Sequence, residues 1–139
     1  MSGTTAISTP ITGDILIESV QLSQDLLVQI FSRFQQLPDL TLEKQHSINN
    51  WVSSLTMDVG NFVEITTLFT RLLQKRQNQT LTGARDSHIH LLFVMKGINS
   101  ASQKGDLVAL EELIKYELKD NLTQWKIDLI PQAKRLLSV

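Results

Sequence analysis

No cysteine occurs anywhere in the 139 residues. Disulfides, thiolate metal sites and a thiol nucleophile are therefore all excluded, and a chain without cysteine suits a reducing cytoplasm. Long apolar runs are missing too: none reaches the roughly 18 residues a membrane span needs. The N-terminus lacks the basic start and apolar block of a secretory signal, so a cytoplasmic protein with no membrane partner is expected. Charge of one sign is also lacking, with 13 basic against 14 acidic groups and a net charge of −1. With one Tyr and two Trp and no basic helical stripe, nucleic acid is not an expected partner.

Chemistry is as sparse. No glycine-rich phosphate loop and no Gly-x-Ser-x-Gly elbow is present. His88 and His90 lie two apart, a spacing that points them to different faces of a helix, so they cannot chelate one ion as an i, i+4 pair could. Glu43 precedes His46 by three residues, the one match to the spacing of a helical di-iron motif, and it has no counterpart. No cofactor and no metal are expected, and the chain reads as a non-enzyme.

What is present is helical periodicity. The segment from Gly105 to Leu129 organises the chain. Gly105 suits the left-handed residue closing one helix, and Asp106 suits the N-cap of the next. Leu107, Leu110, Ile114, Leu118, Leu122, Trp125 and Leu129 then recur at steps of three and four. Upstream, Ile48, Val52, Leu55, Val59, Phe62, Thr66, Phe69 and Leu73 alternate steps of four and three, a heptad seam. Trp51, Ile65, Leu68 and Leu72 widen that seam, and Gly60 inside it marks a bend, a close crossing or a tolerated defect.

A first helix is expected from Asp14, carried by Leu16, Val20, Leu27, Ile30, Phe34 and Leu37 and ended by Pro38. A third runs from about Ala84 to Lys104, with Leu91, Leu92, Met95, Ile98 and Ala101 inward and Gly97 allowing close approach. Pro131 should kink or end the fourth. Residues 1–13, rich in Ser, Thr and Gly and free of charge, read as a disordered leader. The fold expected is thus all-α: an antiparallel up-down four-helix bundle over residues 14–139, its second and fourth helices the longer ones.

Residues 1–70 carry two basic against seven acidic groups, and residues 71–139 carry eleven against seven. Such halves could attract across the fold or between chains, although exposed pairs are individually weak. Four residues are candidates for an interface: Trp51, Tyr116, Glu117 and Trp125. The two Trp are either interface anchors or core fillers, and Glu117 is either a polar latch for a partner helix or an exposed flank residue.

The run from Gly105 to Leu118, with Leu122 and Trp125 after it, resembles a signature of small uncharacterised bacterial proteins in which an Asp-led helix carries Tyr-Glu-Leu and then a Trp. The likeness takes in the helix from Trp51 to Leu73 and spans residues 14–130. It implies an all-helical fold with no assigned activity, and, for some members, genes near those of motility. The function expected is protein contact: an adaptor or chaperone-like module, for instance in flagellar or secretion assembly, or alternatively a self-associating homodimer.

Overall fold

The computed structural model describes the backbone of residues 3–137 and the side chains of residues 15–137. Its helices are α1 (Gly3–Phe34), α2 (Gln45–Gln77), α3 (Ala84–Lys104) and α4 (Leu107–Leu137), and no strand occurs among the described residues. The bounds of α1 take in most of the expected leader, whose side chains lie outside those described. The expectation that α2 and α4 exceed both neighbours needs one correction: α1 as bounded matches them, and α3 is the short helix.

Cross-helix contacts fix the directions. Arg33 near the end of α1 meets Asp58 on α2, while Ile15 and Leu22 share a surface cavity with Ile65 and Leu68. Thr56 bonds Asn99, and Thr66 bonds His88, across α2 and α3. Asn121 on α4 reaches the backbone of Ser87, and Leu113 lies against Gly97. Phe31 and Lys126 line one cavity between α1 and α4, and Ile17 and Leu137 line another. Each neighbouring pair therefore runs antiparallel, an up-down bundle closed between α1 and α4.

The seams are where the periodicity puts them. All eight residues of the α2 heptad seam are buried, as are Leu16, Val20, Ser23, Leu27 and Ile30 of α1. Ser19 and Ser23 survive in that stripe because each hydroxyl donates to a carbonyl one turn back, of Leu16 and Ser19 respectively. Leu92 does not follow expectation. It is exposed, because residue 91 already takes the inward position and one residue's rotation carries its neighbour about 100° away.

The helix ends show the chain's local rules at work. Gly105 adopts a left-handed φ of 68°, its N–H and that of Asp106 bonding back to Ser102 and Ala101, and the Asp106 carboxylate accepts from Ala109 N at 3.2 Å. α1 stops at Phe34, short of Pro38, through a turn in which Gln35 and Gln36 bond back three residues. Thr41 does not cap with its side chain. It precedes a short 3-10 turn, Leu42–Lys44, that leads into α2.

α4 is the least regular helix. Its buried positions Leu110, Ile114, Leu118, Leu122, Trp125, Leu129 and Ala133 advance by four residues at every step but one. In a helix of 3.6 residues per turn each such step drifts by about 40°. Two wide π turns, Leu113–Leu118 and Trp125–Leu129, absorb the excess and keep the stripe facing inward. The second also explains why Pro131 does not end the helix, which continues to Leu137. A wide turn just before a proline relieves its clash with the preceding carbonyls.

Candidate interaction surface

Two regions carry polar or unpartnered groups. The first is a polar knot where α2, α3 and α4 meet. Thr66 Oγ1 lies 2.7 Å from His88 Nε2 and 2.8 Å from the Phe62 carbonyl. The hydroxyl has one proton; when it goes to the carbonyl, His88 must donate from Nε2. Burial lowers the His88 pKa below its usual 6.5 and so favours the neutral ring. That ring packs on Trp125 at 5.0 Å between centroids, and Trp125 meets Phe62 edge-on at 5.4 Å.

Beside it, Asn121 Nδ2 donates to the Ser87 carbonyl at 3.1 Å and lies 3.0 Å from His90 Nδ1. His90 Nδ1 therefore accepts, which leaves its Nε2 hydrogen aimed at Glu117, 3.7 Å away. Ser87 Oγ, Asn121 Oδ1 and Trp125 Nε1 are buried without a hydrogen-bond partner among the described residues. A hydroxyl beside an imidazole suggests a nucleophile and its base, but Thr66 is fully buried and, among the described residues, no carboxylate orients His88. The knot's geometry is that of helix register. Among the described residues no three His, Asp or Glu converge as a metal site would require.

The second region is the seam between α1 and α4. Parallel to its buried stripe, α1 carries Ile17, Gln21, Gln24, Val28 and Phe31, again at steps of four and three and without one charge. These residues line two open cavities against α4. One, of about 200 Å³, is bounded by Gln24, Leu27, Val28, Phe31, Lys126 and Ile130. The other, of about 300 Å³, is bounded by Ile17, Val20, Gln21, Lys134 and Leu137. Ile17 and Val28 are 58% and 67% exposed, a costly placement for apolar groups in a repeating stripe. Lys126 Nζ sits 5.4 Å from the centroid of the Phe31 ring.

The four residues picked from the sequence fall apart in space. Trp51 and Trp125 are both buried, which decides for core filler in each case; Trp51 Nε1 donates to the Arg33 carbonyl at 2.9 Å and ties α2 to α1. In the isolated chain Trp125 is fully enclosed and Trp51 is 6% exposed, so neither offers its ring as an open surface. Tyr116 is exposed on α4 beside Val108, Glu111 and Glu112, and Glu117 is an exposed flank residue near His90. The groove residues were not singled out. Their signal was a second, charge-free stripe one position along from the buried one.

Comparison of the chain with protein-family models, with curated proteins and with solved structures gives no match. No helix among the described residues is long and apolar enough to cross a membrane.

Proposed function

We propose that the protein is a non-enzymatic interaction module that holds an apolar helical segment of another protein in the groove between α1 and α4. The observation behind this reading is the uncharged stripe Ile17–Gln21–Gln24–Val28–Phe31, which repeats like a packing seam and leaves Ile17 and Val28 exposed among the described residues. Laying an amphipathic helix there would extend the bundle by one member, the ordinary mode of groove recognition. The resemblance to proteins encoded near motility genes makes a component of flagellar or secretion assembly the first partner to try in cytoplasmic extracts.

Panning a displayed library of helical peptides on the wild-type protein and on Val28→Arg tests the reading. Amphipathic peptides that enrich on the wild type and are lost on Val28→Arg support it. Peptides that bind both equally refute it.

A second reading, self-association, has an observation of its own. Ile89, Leu92 and Phe93 form an exposed apolar cluster on the outer face of α3. A monomer at all concentrations in sedimentation would remove that reading; a dimer dispersed by Phe93→Glu would support it.

A further inference from the structure

The exposed apolar cluster on α3 belongs to a stripe that ends in charges. Asp86, Ile89, Phe93 and Lys96 follow one another at steps of three, four and three, the spacing of a helix-packing seam. All four are exposed, Ile89 and Phe93 by 58% and 74%. Asp86 and Lys96 form no ion pair among the described residues. The stripe thus has an acid at its N-terminal end, a base at its C-terminal end and two large apolar groups between them.

A second copy of the same helix matches this stripe in one direction. Laid parallel, each charge would face its own counterpart, acid on acid and base on base, and like charges oppose that pairing. Laid antiparallel about a two-fold axis at the level of Leu91, Ile89 lies against Phe93 of the other copy and Asp86 against Lys96, each pair occurring twice. Arg85, on the flank, then meets Gly97, which brings no charge. Sliding one copy by half a heptad or a whole one sets an apolar group against Asp86 or Lys96. One register remains.

Deepening the self-association reading above, on which it rests, we infer that two copies pair antiparallel through the outer face of α3, with Ile89 on Phe93 at the centre and Asp86 on Lys96 at each end. The apolar centre supplies most of the affinity, and the charged ends set direction and register. α3 packs on α2 and α4 and lies diagonally across the bundle from α1, so the dimer leaves the groove between α1 and α4 open.

Sedimentation equilibrium on the full chain tests this with the wild type, Phe93→Glu, Asp86→Lys, Lys96→Asp and the double variant Asp86→Lys/Lys96→Asp. Thermal melts confirm that each variant is folded. Either single swap makes both end pairs like-charged and should weaken the dimer about tenfold at low salt. The double swap restores opposite charges and should return Kd to within about twofold of the wild type. Asp86 also sits in the first turn of α3, where the helix dipole favours an acid. The double variant carries that loss as well, so its recovery reports the pairing alone. A dimer dispersed by Phe93→Glu yet indifferent to the single swaps, or weakened by them without recovery in the double, overturns the register and leaves self-association through α3. A monomer at every concentration, or a dimer that survives Phe93→Glu, overturns both.

Discussion

Arg33 Nε lies 2.6 Å from Asp58 Oδ2, a charged bond between α1 and α2 whose two side chains are only 23% and 12% exposed. The same arginine's carbonyl accepts from Trp51 Nε1, so one residue ties the end of α1 to α2 by both its side chain and its backbone. Removing the carboxylate would leave a guanidinium mostly out of water without its counterion. Asp58→Ala should cost about 2 kcal/mol in urea unfolding. Arg33→Met/Asp58→Leu should recover part of that loss, because no uncompensated charge is left behind.

The two residues Trp125 and Tyr116 separate core from surface on the same helix. Trp125→Ala should lose about 3–5 kcal/mol, since it empties the space among Phe62, His88 and α4. Tyr116→Ala should stay within about 0.5 kcal/mol of the wild type, as its ring is exposed. Similar losses at both positions would mean that α4 is rotated from the placement described.

Acid should weaken the fold through His88. Its pKa is lowered by burial, so the native state binds fewer protons than the unfolded chain wherever pH lies between the depressed value and 6.5. The stability contributed by the neutral ring is present in full above pH 6.5 and is lost as pH falls through the native pKa. Urea midpoints measured between pH 8 and pH 5 should fall at the acid end, and His88→Gln should flatten that slope.

The glycines should rank by surroundings. At Gly60 nothing lies within 4 Å of an added Cβ, so Gly60→Ala should stabilise α2 by about 1 kcal/mol. At Gly97 the Cβ would sit 3.1 Å from Leu113 Cδ1, and the same gain is offset by crowding. Gly105→Ala should destabilise by about 1–2 kcal/mol, because its φ of 68° belongs to the left-handed region. A gain at Gly97→Ala as large as that at Gly60→Ala would contradict the packing of α3 on α4.

The sequence carried the bundle because its helices bury regular stripes. The α2 seam from Ile48 to Leu73 and the Gly105–Asp106 turn were legible residue by residue, since period and cap chemistry are local. Leu92 and the π turns of α4 were not, because they depend on which neighbour a helix meets. Nor was the groove. Periodicity marks Ile17, Val28 and Phe31 as a possible face, but only the position of α4 shows that they stay uncovered.

The most direct measurement uses the absence of native cysteine. Val28→Cys and, as a control on the outer face of α2, Met57→Cys each accept one environment-sensitive fluorophore, at positions 67% and 70% exposed. Titrated with an amphipathic helical peptide enriched on the wild-type protein, the label at 28 should shift to the blue and saturate while the label at 57 stays unchanged. An unresponsive label at 28, or equal responses at both positions, would contradict a binding groove between α1 and α4.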